Sequence, residues 1–344
     1  MNINMDTITI PKTELQVSTI CFGTSKLGTI ISPSDSFLLL DEYCKNIGGN
    51  FIDTANCYSD WFDGEKSASE KIIGRWLKGI NRHQVIISTK GGYPEINNKN
   101  ISRLTEKDIE KDLYNSLCNL GTDYIDIYWL HRDSLEFPVS HFIDLLNKFQ
   151  RKGLIRYFAC SNWTSRRIAE AQNYASQNNL NCFIANQMLW NVGEINHKVL
   201  NDDQLVIMND ELFSYHKTSS LIAIPYSTQA NGFFGGKYNW ILDNSQPIDR
   251  LYEKIYYGKT TFDLYNNEEN LRTLKNVIKI SREHGITQTQ TILLGLMCSE
   301  FPTIPIVGCR TIEQLKDSCK TSDVFSKLDN TNPFKMLNKF CGCK

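Results

Sequence analysis

Four side chains in this sequence are of the types that a proton-transfer device needs: Asp53, Tyr58, Lys90 and His131. Asp53 closes the apolar run Phe51-Ile52, and Tyr58 follows in Thr54-Ala55-Asn56-Cys57-Tyr58. Lys90 stands in Ser88-Thr89-Lys90-Gly91-Gly92, and His131 in Leu130-His131-Arg132. A free phenol, with a pKa of about 10, is a weak acid. A neighbouring ammonium favours the phenolate and makes the phenol a better donor, and a carboxylate holds that ammonium charged and in place. A histidine can hydrogen-bond the oxygen that receives the proton. Together the four suit carbonyl reduction, in which hydride reaches the carbon while an acid protonates the oxygen. Singly, Asp53 would serve as a helix cap, Lys90 as a surface charge, Tyr58 as a loop aromatic and His131 as a structural histidine. Their placement at the ends of successive apolar runs makes them one constellation.

The pattern of the whole chain supplies elements that can gather them. Short apolar runs begin at Thr19, Asn50, Val85, Ile125, Ile155, Phe183, Leu221 and Thr303 and read as strands. Between them lie helical segments: Pro33 to Ile47, Ser67 to Leu77, Thr105 to Leu120, Val139 to Lys152, Thr164 to Gln177 and Gln204 to Lys217. Leu271 to His284, Thr287 to Ser299 and a helix from Thr311 follow an irregular stretch that runs from Tyr226 to about Glu268. Capping residues support several of these, with Thr105 before and Gly121 after one helix. Thr7 to Ile10 and Leu15 to Val17 read as an N-terminal hairpin.

Eight strands alternating with helices, with no break for a second core, predict an α/β fold: a (β/α)8 TIM barrel in a single domain spanning residues 1–328, with a C-terminal tail at 329–344. A doubly wound open sheet is the rival architecture. It would usually carry a G-x-G-x-x-G phosphate turn, which this sequence lacks. In a barrel, active residues gather at the C-terminal ends of the strands. Asp53 would end the second strand, Lys90 would fall just after the third, and His131 would follow the fourth.

The composition is ordinary for a soluble globular protein and argues against other classes. Apolar residues make up 41% of the chain and charged residues 22%, and the formal net charge is −1. That balance gives no general electrostatic reason to bind nucleic acid or an anionic membrane. The N-terminus lacks the basic and apolar regions of a secretory signal, and no apolar run is long enough to span a bilayer. A cytoplasmic protein is expected. The eleven cysteines are scattered and odd in number, which suits reduced thiols used as small hydrophobes. Cys341-Gly342-Cys343 is too closely spaced for a zinc pair, and no metal is expected.

The strings that carry the candidate residues resemble those of the aldo-keto reductase family, in its branch similar to aryl-alcohol dehydrogenases and potassium-channel β subunits. The resemblance runs from Cys21-Phe22-Gly23-Thr24 to Pro305-Ile306-Val307-Gly308. It includes Leu120 to Asp126, Ser161-Asn162-Trp163, Asn186-Gln187 and Gly232 to Tyr238. It implies a (β/α)8 barrel, NADPH as cofactor, and a catalytic tetrad of Asp53, Tyr58, Lys90 and His131. It further implies that Ser161, Asn162 and Gln187 hold the nicotinamide carboxamide and that Tyr226 stacks on the ring. Gly23 and Thr24 would lie against the cofactor. Ser227, Thr228, Gln229, Ala230, Asn231 and Lys237 would cover the pyrophosphate. Gly308, Arg310, Gln314 and Ser318 would meet the adenosine end, where Arg310 at a helix N-terminus suits a 2′-phosphate. The chain departs from the family pattern at Ser25, at Thr228-Gln229 and at Ser318.

Trp61, Phe62, Tyr93, Trp163 and Trp190 are expected to wall a substrate pocket, joined by Phe233, Phe234, Tyr238 and Trp240. Such a mouth would take an aryl or moderately apolar aldehyde or ketone. Arg132 would meet an anionic substrate or pair with a carboxylate. Three functions stay open on these residues: an NADPH-dependent reductase of a small-molecule carbonyl, an alcohol or sugar dehydrogenase using the same site in reverse, and a cofactor-sensing regulatory subunit. His131 favours catalysis, because channel-associated relatives commonly carry Asn there. Oligomeric state is not legible.

Overall fold

The computed structural model describes residues 3, 5–62, 64–96, 101–200, 202–243, 254–256, 259–328 and 333–338. The N-terminal hairpin forms from β1 (Thr7–Thr9) and β2 (Gln16–Ser18), paired antiparallel. The barrel strands are β3 (Cys21–Gly23), β4 (Phe51–Asp53), β5 (Ile86–Gly91), β6 (Ile125–Leu130), β7 (Ile155–Ser161), β8 (Ala185–Gln187) and β9 (Ile222–Ala223). Two short strands follow outside the barrel, β10 (Lys254–Tyr256) and β11 (Lys259–Thr260), and β12 (Ile306–Val307) is the last barrel strand.

The eight barrel strands pair in parallel in the order β12-β3-β4-β5-β6-β7-β8-β9. Backbone bonds then close the circle, with Ile304 N donating to Ala223 O at 2.9 Å and Ile306 N to Pro225 O at 3.0 Å. The expected (β/α)8 architecture is therefore the observed one.

The helices that cover the sheet are α1 (Pro33–Asp41), α2 (Ala68–Leu77), α3 (Glu106–Leu120), α4 (Val139–Arg151), α5 (Ser165–Gln177), α6 (His197–Leu200) and α7 (Asp210–Thr218). Then come α8 (Trp240–Asp243), α9 (Thr261–Tyr265), α10 (Glu268–His284), α11 (Gln288–Met297) and α12 (Ile312–Phe325). Among the described residues, no helix is long and apolar enough to cross a membrane.

Side chains alternate between the two faces of each strand. Outward residues such as Ile52, Ile87, Tyr128, Leu130 and Phe158 join the layer between sheet and helices. Inward residues Phe51, Ile86, Ile127, Trp129, Ala159, Ala185, Ile222 and Ile306 form a second cluster inside the barrel. Ile10, Leu15 and Val17 of the hairpin belong to this inner cluster and plug its N-terminal end. Burying each large apolar side chain contributes about 1.5–3 kcal/mol, so the plug is held firmly. The lumen is thus filled from below, and polar chemistry is confined to the layer at the opposite end.

Several boundaries differ from the sequence expectation. Strand β5 runs to Gly91, so Lys90 lies within the strand rather than beyond it. The helix expected from Gln204 begins at Asp210, capped by Asn209. The preceding backbone is engaged elsewhere: Leu189 N donates to Val206 O, and Met208 N to Leu189 O. The helix expected over Pro33 to Ile47 changes to a wider π turn at Glu42–Asn46. Tyr43 on that turn is fully buried, and its hydroxyl donates to Ile20 O at 2.7 Å. The stretch after Tyr226 is not irregular throughout, since Phe233–Lys237 forms a π turn and α8 and α9 follow. In the expected tail, Pro333–Leu337 is a 3-10 helix with Phe334 and Leu337 buried. Cys341 and Cys343 lie outside the described residues.

Candidate active site

Period-two alternation brings the sequence candidates to one end of the lumen. Asp53 lies two residues beyond Phe51, Lys90 four beyond Ile86, and His131 four beyond Ile127, on the face that the inner core occupies lower down. Register fixes their relative heights, with Asp53 opposite Ser88 and Lys90 opposite Trp129.

The loop that carries Tyr58 is sewn to β5. Thr54 N donates to Ser88 O at 2.9 Å, and Asn56 N to Lys90 O at 3.0 Å. A turn then closes with Tyr58 N donating to Ala55 O, which brings the phenol over Lys90. Lys90 Nζ donates to Tyr58 Oη at 2.9 Å, to Thr54 O at 2.7 Å and to the Asp53 carboxylate. Asp53 Oδ1 in turn accepts from Ser88 Oγ at 2.7 Å and Gln187 Nε2 at 2.9 Å. Lys90 and Asp53 are both almost wholly buried. A charged pair in such a place needs its remaining lone pairs and protons satisfied, and here they are. Ser88 was not singled out by sequence reasoning, although its position two residues before Lys90 on a strand was the available signal.

His131 follows β6 and is buried beside Tyr58, with ring centroids 6.0 Å apart. Its backbone is pinned from both sides: its N–H donates to Gly91 O, and its carbonyl accepts from Asn162 Nδ2. Burial, then the Arg132 and Lys90 cations, push its pKa well below the usual value of 6.5. The imidazole is therefore neutral near pH 7, with one ring nitrogen a donor and the other an acceptor. Cys57 Sγ lies 3.8 Å from its Nδ1. Burial raises the Cys57 thiol far above its ordinary range, so this sulfur is no thiolate nucleophile. The site can thus offer a buried ammonium, a phenol and a neutral imidazole to one small oxygen-bearing group.

The residues expected to hold a cofactor lie around this centre. Ser161 and Gln187 end adjacent strands β7 and β8 and are paired in register. Asn162 has a left-handed backbone at φ 61°, and its Oδ1 accepts from Tyr226 Oη at 2.7 Å and from Val206 N. Ser227, Ala230 and Asn231 are also left-handed. Such turns aim backbone N–H groups into anion-binding concavities. Asn231 Nδ2 is buried without a hydrogen-bond partner among the described residues, an orphan donor that a phosphate oxygen would satisfy. Lys237 is exposed. These features fit a dinucleotide cofactor.

Other expected contacts are engaged within the protein. Thr24 Oγ1 donates to Asp53 O, Thr228 Oγ1 to Ile306 O and Gln229 Nε2 to Ser318 Oγ. Gln314 Oε1 accepts from Arg310 N at the start of α12. Gly23 and Gly308 mark the close approach of β3 to the end of β12, where a Cβ on Gly23 would lie 2.6 Å from Ile306 Cγ2.

The aromatic wall divides in two. Trp61 is 44% exposed and packs edge-on to Tyr58 and to Phe62. Tyr93 packs on His131 with centroids 4.8 Å apart. These three stand near the candidate centre. Trp163 does not line it: the ring is fully buried against Phe142 and Phe183, and its indole donates to Arg132 O. Trp190 is buried and packs on Phe213 and Phe301. Phe233, Phe234 and Tyr238 are buried around Tyr265, and Trp240 stacks on Phe262. Each of these buries most of its aromatic surface in packing rather than presenting it to a ligand.

A profile of the aldo/keto reductase family matches residues 19–332. A probable voltage-gated potassium channel subunit beta of Arabidopsis thaliana is 27% identical over 92% of this chain and 91% of its own length. An aryl-alcohol dehydrogenase of Phanerodontia chrysosporium, NADP(+)-dependent by name, is 26% identical over 94% of this chain and 85% of its own. The crystal structure of a thermostable aldo-keto reductase superposes with a TM-score of 0.69, at 20% identity over 98% of this chain and 100% of the other.

Proposed function

The chain belongs to the aldo/keto reductase family of oxidoreductases, and we propose that it reduces an aldehyde or ketone to the alcohol with NADPH. The observation that carries this reading is the contact of Lys90 Nζ with Tyr58 Oη, 2.9 Å, beside a buried Asp53. NADPH, when bound by Ser161, Asn162, Gln187, Tyr226 and the segment from Ser227 to Asn231, supplies the hydride.

The protein's own residues manage the oxygen. Tyr58 donates its proton to the carbonyl oxygen as negative charge develops there. The Lys90 ammonium stabilises the charge left on the phenol oxygen, an effect magnified in a buried site. Asp53 holds Lys90 in place, and Ser88 and Gln187 hold Asp53. His131, neutral through burial, offers a second hydrogen bond that orients the carbonyl. Trp61, Phe62 and Tyr93 give the substrate an aromatic flank.

The rival reading, a cofactor sensor with little turnover, is carried by likeness to a potassium channel β subunit, yet His131 and Tyr58 stand together here in a complete proton-donating set. NADPH consumption with a panel of aldehydes and ketones tests the proposal. Turnover of at least one class is expected; tight NADPH binding without turnover of any would favour the sensor.

A further inference from the structure

Behind the strand that carries Lys90 lies a buried carboxylate that the proton-transfer reading does not use. Glu70, in the first turn of α2, is wholly buried. Its Oε1 accepts from Thr89 Oγ1 at 2.6 Å, and its Oε2 from Asn119 Nδ2 at 2.9 Å and Asn56 Nδ2 at 3.3 Å. Ser116 Oγ stands 3.5 Å from the same Asn56 nitrogen. Both Glu70 oxygens only accept, as those of an ionised carboxylate do, and the Thr89 bond has the length of a hydroxyl on a charged oxygen. Burial raises the pKa of Glu70 against the pull of these donors. The donors are neutral, so hydrogen bonds rather than an ion pair hold the carboxylate.

Two of the donors flank the proton-donating pair. Thr89 immediately precedes Lys90, and successive strand residues face opposite ways, so Thr89 turns toward the helices while Lys90 turns into the lumen. Asn56 lies two residues before Tyr58, and its backbone N–H donates to Lys90 O. One carboxylate therefore grips the neighbours of both partners in the Lys90–Tyr58 bond. Ser69, next to it on α2, holds Thr54 through a hydroxyl pair at 2.9 Å, and Thr54 O accepts from Lys90 Nζ. On the same two helices Ile73, Leu113 and Leu117 join the apolar layer. An apolar cluster of the same shape would serve packing there equally well. A fully satisfied polar network instead fixes one geometry.

We infer that Glu70 is a positioning residue for the reduction: through Thr89 and Asn56 it sets the distance between Lys90 Nζ and Tyr58 Oη from behind the barrel wall. This rests on the reductase reading and adds to it a residue that touches neither substrate nor cofactor. Loosening the grip lets the phenol drift from the ammonium, and Tyr58 becomes a weaker proton donor.

The test is Glu70→Gln, which keeps the shape but places a donor where the network needs an acceptor. Absorbance titration of the phenolate, with the matching Tyr58→Phe protein subtracted to isolate Tyr58, should show ionisation at higher pH than in the parent. Per NADPH-binding site, kcat should fall about tenfold to a hundredfold, as a misplacement of about 1 Å does, while KM and NADPH affinity stay within about twofold. A parental Tyr58 titration or an unchanged kcat in the folded variant would overturn the inference and make Glu70 a packing residue, whatever its melting temperature. Thr89→Val, isosteric and lacking the donor, carries the same expectation and decides the matter if Glu70→Gln does not fold. A parent that binds NADPH but reduces nothing would bring down the reductase reading alone, because the phenol titration needs no substrate.

Discussion

Lys90 Nζ donates a 2.9 Å hydrogen bond to Tyr58 Oη while also bonding Thr54 O and the carboxylate of Asp53. One buried ammonium thereby joins the end of β4, the inner face of β5 and the loop between them. The same contacts that favour charge on the phenol oxygen also hold the fold together at the mouth. Stability and chemistry can be separated there by substitution.

Replacing Lys90 by Met leaves Asp53 as a buried carboxylate without its cation. Breaking one partner of a buried pair costs about 3–5 kcal/mol. The double variant Asp53→Asn/Lys90→Met should recover most of that loss in urea denaturation and yet show no carbonyl reduction. A single Lys90→Met variant as stable as the parent would contradict this account of the pair.

Two buried histidines set an acid limit on the fold. Burial presses His216 down to about 4, with its Nδ1 2.9 Å from Leu221 O. His131 is lowered as well. With folded values below the unfolded one of about 6.5, the unfolded chain holds more protons in the interval. The stabilisation from His216 is complete above pH 6.5 and is lost as pH falls toward about 4; that from His131 falls in the same direction. At about 1.4 kcal/mol per pH unit, His216 alone predicts a loss of about 2 kcal/mol between pH 7 and 5. Urea titrations at both pH values should show a smaller loss in His216→Gln; equal losses would remove His216 from the explanation.

Helices α2 and α3 meet at Gly74. A Cβ there would stand 2.1 Å from the backbone oxygen of Asn119, which no rotamer change can relieve. Gly74→Ala should therefore destabilise by about 1–3 kcal/mol, as overpacking does. The strain would fall next to the bond from Asn119 Nδ2 to the buried Glu70. A thermal melt unchanged from the parent would show that the helices separate at little cost.

If Arg310 meets a 2′-phosphate beside the N-terminus of α12, Arg310→Ala should reduce the preference for NADPH over NADH about tenfold or more, in line with loss of a charge-assisted hydrogen bond. Fluorescence titration with both nucleotides measures this. An unaltered ratio of dissociation constants would assign the phosphate to other groups.

The barrel and its polar end were legible because strand alternation is a sequence property. Knowing that Phe51 and Ile86 face inward suffices to send Asp53, Ser88 and Lys90 the same way. The aromatics were less legible. Trp61, Tyr93, Trp163 and Trp190 look alike in sequence, yet only Trp61 and Tyr93 stand beside the site. Trp163 and Trp190 are claimed by Phe142, Phe183, Phe213 and Phe301, partners far away along the chain. The same holds for the segment before α7, where Val206 bonds to Asn162 and Leu189 instead of starting a helix. Long-range pairing overrode local propensity in each case.

The most direct measurement compares the parent with Tyr58→Phe, reading both NADPH affinity and NADPH oxidation with the best aldehyde. The variant keeps the ring, its packing against Trp61 and the cofactor residues, and loses only the proton donor. The account predicts near-parental NADPH affinity with turnover lowered by about two to four orders of magnitude, the usual contribution of a general acid. Turnover within a few fold of the parent would contradict the assignment of Tyr58 as the proton donor.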